Sequence, residues 1–273
     1  MPADNALGVP DGAAAPEGDG VREFGFETRA VHAGHRPDPY TGASAVPIYQ
    51  SSAFVFEDTD TAAAYFNLQE YGNIYTRIMN PTVAVFEERI ASLEGGAGAV
   101  AFASGMAAQA AVFFTLVRPG DHIVASQAIY GGTITQLKHT LAKLSVDVTM
   151  VDPDDPAAWR AAVRDSTKAF FGETIGNPGG NILDIQMVAG IAHEHGIPLI
   201  VDNTFATPYL CRPMEWGADI VVHSATKYID GHGTSIGGVA VDSGTFDWSN
   251  GRFPSIAEPS AAYHGLAFHE TFG

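Results

Sequence analysis

GAVAFASGMAAQAAVFFTLVRPGDHIVAS, residues 98–126, holds the pattern on which the fold turns. GAVAFAS is a short apolar run ending at Ser104, GMAAQAAVFFTLV is a longer apolar segment without proline, and DHIVAS is again short and apolar. Their lengths and flanking residues predict strand, helix, strand. Toward the C-terminus the rhythm continues, with helices predicted in GTITQLKHTLAKL, DPAAWRAAVR and IQMVAGIAHEHG and strands in VDVTMVD, TKAFFGE, IPLIVD and DIVVHS. Strands that are apolar throughout and alternate with helices belong to a mainly parallel central sheet with helices on both faces, an α/β fold. Toward the N-terminus, TVAVFEERIASLEGG after Pro81 sets Val83, Phe86, Ile90 and Leu93 at helical spacing, and Gly95 and Gly96 end the helix.

Upstream of that helix the patterning fades. FGFETRAVHAGHRPDPYTGASAVPIYQSSAFVF is aromatic, broken by prolines and without a regular period, so its apolar groups need another surface to lie on. Residues 22–80 are therefore expected to form an extended N-terminal arm that contacts a partner subunit or its own domain, and 81–273 a large α/β domain. Residues 1–21 are Ala, Gly, Pro and acidic residues without an aromatic, a composition that predicts a disordered leader.

Composition narrows the function. With 273 residues the chain can bury a sizeable core without disulfides or metals. Its 31 acidic against 14 basic residues give a net charge of -17, which repels phosphate backbones and anionic lipid, so neither nucleic acid nor a membrane is an expected partner. One cysteine, Cys211, excludes an internal disulfide, and no signal-like or membrane-length apolar segment occurs, so a reducing, cytoplasmic setting is expected.

In an open parallel sheet, ligands lie beyond the carboxyl ends of the strands. Those ends carry Ser104, Ser126, Glu173, Asp202 and the run from His223 to Lys227. Lys227, three residues past the apolar strand DIVVHS and close to Ser224 and Thr226, is either a nucleophile for a carbonyl or a solvent-facing lysine. Asp202 either closes an Asx-type turn or pairs with a cationic ring nitrogen. Ser104, before Gly105 and Met106, is an N-cap, and the same helix start can hold a phosphate. Tyr130, followed by two glycines, stacks on a flat ligand or packs a loop junction. Asn177 binds a ligand oxygen or caps the turn in ETIGNPGGN, and Arg77 in YGNIYTRIMNPT binds phosphate or an interface carboxylate. Cys211 has no histidine near it in sequence and reads as packing, and His193 and His195 do not share a helical face, so they are poor metal ligands.

Taken together, Tyr75-x-Arg77, Ser104-Gly105-Met106, Tyr130-Gly-Gly-Thr133, Asp202-Asn-Thr204 and Ser224-x-Thr226-Lys227 resemble the Cys/Met-metabolism family of pyridoxal-phosphate enzymes, from residue 27 to residue 273. VPIYQSSAFVFED, DNTFATPYLCRP and HSATKYIDGHGTSIGG are similar to the branch that acts on O-acetylhomoserine. The resemblance implies a fold-type I, aspartate-aminotransferase-like domain and pyridoxal 5'-phosphate as cofactor. It implies that Lys227 carries the cofactor and shuttles protons, that Asp202 pairs with the ring nitrogen, and that Tyr130 stacks on the ring and takes part in catalysis. Ser104, Gly105, Met106, Ser224 and Thr226 would bind the phosphate, joined by Tyr75 and Arg77 of a neighbouring subunit in a homodimer or homotetramer. Thr204 would belong to the same cofactor site, and Asn177 would lie near the cofactor oxygen and the substrate carboxylate. The implied reaction replaces the acetyl group of O-acetyl-L-homoserine by sulfide or methanethiol. A γ-lyase or cystathionine γ-synthase of the same family, and a catalytically incomplete piece with a binding role, are the alternatives. Two departures stand out: the branch usually has glutamine where this chain has Met106, and nothing here matches the family's smaller C-terminal domain with its carboxylate-binding arginine. The chain is thus expected to be the arm and cofactor domain of a longer enzyme.

Overall fold

A computed structural model describes residues 24–272. The expected disordered leader, 1–21, lies outside the described residues. The chain divides into two compact units, one ending at Arg89 and the other beginning at Ile90.

The first unit departs from the expectation of an arm without regular structure. It contains helix α1, Phe26–His32, helix α2, Thr59–Phe66, and most of helix α3, Pro81–Glu94. Asp58 starts α2 as an N-cap, its side chain accepting the Thr61 N–H at 2.7 Å. Between the helices, polar side chains pin extended chain in place. Asn80 donates to the Tyr49 carbonyl at 2.9 Å, and Thr82 donates to the Pro47 carbonyl at 2.7 Å. Tyr40, Ile48 and Val55 are exposed.

The second unit is built on seven strands: β1 Gly98–Phe102, β2 His122–Ser126, β3 Asp147–Val151, β4 Thr167–Glu173, β5 Leu199–Asp202, β6 Ile220–His223 and β7 Gly238–Asp242. Their order is β1-β7-β6-β5-β4-β2-β3. All run parallel except β7, which is antiparallel to both β1 and β6. The crossovers carry helices α4 Gly105–Leu116, α5 Gly131–Thr135, α6 Pro156–Ala162 and α7 Ile185–Glu194. Behind α5 the predicted single helix changes its hydrogen-bond pattern, with a wider turn at Gln136–Thr140 and a tighter one at Leu141–Leu144.

Two neighbouring phenylalanines on β4 explain why helices cover both faces. Successive strand residues point to opposite sides. Phe171 meets Phe113 of α4 with ring centroids 5.4 Å apart, whereas Phe170 meets Trp159 of α6 at 5.1 Å. The larger core gathers Phe113, Leu116, Ile123, Leu137, Phe171, Ile200, Trp248 and Phe253, all buried. Each such side chain contributes roughly 1.5–3 kcal/mol by leaving water, so the sheet is a rigid platform. Its register places the carboxyl ends of the parallel strands along one edge, with Glu173 opposite Asp202 and Asp202 opposite Val222. Among the described residues, no helix is long and apolar enough to cross a membrane.

Candidate active site

A cavity of about 790 Å³ opens beyond those strand ends. All ten residues expected at the site from this unit line it: Ser104, Gly105, Met106, Tyr130, Asn177, Asp202, Thr204, Ser224, Thr226 and Lys227. Gln109 and Phe205, which sequence reasoning passed over, line it as well.

Asp202 forms the most constrained part. It is 7% exposed at the end of β5. Its Oδ1 accepts from the Thr204 backbone N–H at 2.9 Å and from the Thr204 hydroxyl, while its Oδ2 accepts from Gln109 Nε2 at 2.7 Å. Gln109 is fixed in turn, its Oε1 accepting from Thr133 Oγ1 at 3.0 Å. Burial pushes the Asp202 carboxyl above the usual range, against the lowering effect of these donors. A buried acid of this kind is best satisfied by a cation. The Asx-type turn and the ligand-facing carboxylate, alternatives in sequence, coexist here: Oδ1 closes the turn and the residue still lines the cavity.

The hydroxyl side is assembled by close backbone approach. A Cβ on Gly105 would fall 2.6 Å from the Ser224 Cβ, and one on Gly238 would fall 2.1 Å from the Ser104 carbonyl oxygen. Only glycines let the start of α4 meet the ends of β6 and β7. Ser104 caps α4, its Oγ accepting from Ala107 N–H at 3.1 Å, which leaves the first N–H groups, at Gly105 and Met106, without an intrahelical acceptor. Thr204 Oγ1 accepts from the Ser224 N–H at 2.8 Å, tying the loop after β5 to the loop after β6. Thr226 exchanges hydrogen bonds with the Gly237 backbone. Lys227 follows with an exposed side chain.

A further carboxylate stands at the end of β4. Glu173 is 6% exposed, and burial followed by the nearby Asp202 charge pushes its carboxyl up to about 8. Backbone N–H groups of Tyr130 and Asn177 work against that rise. Beneath the site lies a polar group that the sequence did not disclose. Glu94 Oε1 accepts from Asn203 Nδ2 at 2.9 Å and lies 2.6 Å from His223 Nε2, both Glu94 and His223 being fully buried. Asn203 Oδ1 accepts from Thr174 Oγ1 at 2.8 Å, so the residues next to Asp202, Glu173 and Ser224 are locked together from below.

Tyr75 and Arg77 belong to the first unit, where Arg77 Cζ lies 5.8 Å from the Tyr75 ring centroid and Tyr75 bridges to Ala53. Cys211 is partly buried and its thiol is pushed up by burial, then by Glu94 and Glu215, consistent with a packing role. His193 bonds Asp219 at 2.8 Å rather than a metal partner, and no group of three or more His, Cys, Asp or Glu among the described residues could hold a metal ion.

A mixed, largely parallel sheet flanked by helices, with its cavity at the carboxyl edge, is the architecture of fold-type I pyridoxal-phosphate-dependent enzymes. The model of the Cys/Met metabolism PLP-dependent enzyme family matches residues 27–262, and the chain belongs to that family. It is 52% identical over 259 residues to the O-acetyl-L-homoserine sulfhydrylase of Leptospira meyeri, covering 94% of this chain and 59% of the relative. It is also 52% identical over 252 residues to the enzyme of the same name from Corynebacterium glutamicum, covering 90% and 58%. A crystal structure from Campylobacter jejuni, provisionally named an O-acetylhomoserine (thiol)-lyase and containing N'-pyridoxyl-lysine-5'-monophosphate, superposes with a TM-score of 0.89 at 40% identity, covering 92% of this chain and 62% of that one. Cystathionine γ-lyase from Lactobacillus plantarum gives a TM-score of 0.74 at 41% identity, over 80% and 55%. The chain thus spans about three fifths of the length of the curated relatives it matches.

Proposed function

We propose that this chain is the cofactor-binding part of an enzyme that replaces the acetyl group of O-acetyl-L-homoserine by sulfide, or by methanethiol, giving L-homocysteine, or L-methionine, and acetate. The observation that carries the reading is the gathering of Lys227, buried Asp202 and a hydroxyl-rich helix start around one cavity. The residues present fit pyridoxal 5'-phosphate. Asp202, with its carboxyl raised by burial, suits a ring nitrogen that holds a proton. The N–H groups of Gly105 and Met106, with the hydroxyls of Ser104 and Ser224, form a donor set for a phosphate dianion, and Thr226 joins it when its hydroxyl turns from the Gly237 carbonyl. Met106 in place of the branch's usual glutamine leaves that backbone contribution intact.

When bound, the cofactor supplies a carbonyl for the substrate amine and an electron sink for the breaking C–H bond. Lys227 Nζ would hold the cofactor and would accept the Cα proton of the substrate. Asp202, steadied by Gln109, would hold the proton on the ring nitrogen. Tyr130, its ring against Gly132 at the cavity wall, would stack on the cofactor ring and take part in catalysis. Asn177 donates its side-chain amide to the substrate carboxylate. Tyr75 and Arg77 of a second copy reach the phosphate, making the active unit a homodimer or a homotetramer of two such dimers, with the arm, 22–80, at the contact between copies. A reducing, cytoplasmic setting suits the lone Cys211.

The likeness to a cystathionine γ-lyase supports elimination as a second reading. Incubating the protein with O-acetyl-L-homoserine, with and without sulfide, separates the two: homocysteine formed only with sulfide is expected. Equal release of 2-oxobutyrate and ammonia in both tubes would assign a lyase.

A further inference from the structure

We propose that Glu173 is a positioning residue that holds Tyr130 and Asn177 in fixed relation on either side of the reacting centre. The proposal rests on the cofactor site described above. Glu173 Oε1 accepts the backbone N–H of Tyr130 at 2.6 Å, and Oε2 accepts the backbone N–H of Asn177 at 3.2 Å. One carboxylate thus joins the loop that follows β2 to the loop that follows β4. A separate feature brings the same loops together: a Cβ on Gly176 would fall 2.5 Å from the Ala128 carbonyl oxygen, so the backbones meet where only glycine fits. A third fixes the ring, because a Cβ on Gly132 would fall 2.4 Å from Tyr130 Cε1. The half-exposed ring therefore rests on a glycine on one side, and Glu173 holds the backbone from which it projects.

The chemistry asks for two oxygens. Two N–H donors converge on them, and a carboxyl group, ionised or protonated, keeps lone pairs on both. An amide of the same shape offers one oxygen and turns an NH₂ group toward the second N–H, so Gln fills the space yet breaks one arm of the clamp. Glu173 need not touch the substrate to affect it. It acts through the placement of the ring-facing Tyr130 and of the carboxylate-binding Asn177.

E173Q is the informative variant, with E173A beside it. In the cofactor-free protein, hydrogen exchange should quicken in the peptides that contain Tyr130 and Asn177 in both variants, and more there than in the rest of the chain. In the cofactor-loaded protein, both variants should keep the covalent attachment at Lys227, lose at least about half of the induced circular dichroism of the cofactor band, and raise KM for the amino-acid substrate about tenfold. Wild-type exchange, dichroism and KM in E173Q would overturn the proposal, since a residue that only fills space is replaced by its isostere without effect. Failure of either variant to take up the cofactor would overturn it too, because a positioning residue leaves the attachment intact. A wild-type protein without a lysine-linked cofactor would instead overturn the cofactor reading.

Discussion

Gln109 shows how a residue can be decisive and still go unremarked in a sequence. Its amide joins Asp202 to Thr133, donating to one and accepting from the other. The signal was present in weak form, since Gln109 is a lone amide in the otherwise apolar run GMAAQAAVFF. Helical spacing gives no indication that such an amide points at a strand end some ninety positions away, because that distance is closed only by the crossover. Asp202 itself was legible because it ends a wholly apolar strand, where a carboxylate requires a partner. Replacing Gln109 by Leu removes one donor from Asp202 and leaves the Thr133 hydroxyl unpaired. A loss of stability of about 1–3 kcal/mol is expected, measured by denaturant unfolding of the cofactor-free protein, together with about tenfold weaker retention of pyridoxal phosphate on dialysis. Unchanged retention would show that Asp202 needs no support from Gln109. Glu94 and His223 were beyond sequence reasoning for a similar reason: they come from α3 and β6 and meet only in the folded unit.

At the scale of elements, the parallel strands and α4 were readable from apolar run length alone, because a strand buried on both faces has no polar alternation to obscure it. Strand β7 was not. Its GVAVD follows the glycine-rich GHGTSIG, whose composition signals a turn, and its pairing with β1 and β6 depends on Gly238 slipping against Ser104. Helix α2 was missed because the prolines and aromatics around it masked a short segment whose start is set by one N-cap, Asp58. The break after α5, at Gln136, coincides with no proline or glycine in the sequence. The turn between β1 and α4 makes a sharper claim. G105A places a methyl 2.6 Å from the Ser224 Cβ and 2.7 Å from its Cα, against backbone with little room to yield. A loss of about 1–3 kcal/mol is expected from such overpacking, accompanied by weaker cofactor binding at the proposed phosphate site as the two loops separate. Wild-type stability and cofactor affinity in G105A would show that the loops tolerate a wider spacing.

The whole chain is two units, and its known relatives extend well beyond the length matched here. The motifs in the second unit could be joined to one cavity because a parallel sheet brings all its strand ends to one edge, whatever their distance in sequence. Tyr75 and Arg77 gain their proposed role from a second copy, a relation that no single chain's periodicity encodes. The central claim concerns attachment, and the molecule provides its own controls. It has four lysines, Lys138, Lys143, Lys168 and Lys227. Lys138 and Lys143 are exposed on the helical segment behind α5, and Lys168 donates to the Arg252 carbonyl at 2.6 Å. Treating the cofactor-loaded protein with borohydride, digesting it and locating the pyridoxyl group by mass spectrometry measures the attachment directly. The account predicts the reduced adduct on Lys227, with the other three lysines unmodified at stoichiometric loading. An adduct on Lys138, Lys143 or Lys168, or a protein that loads cofactor with Lys227 unmodified, would contradict it.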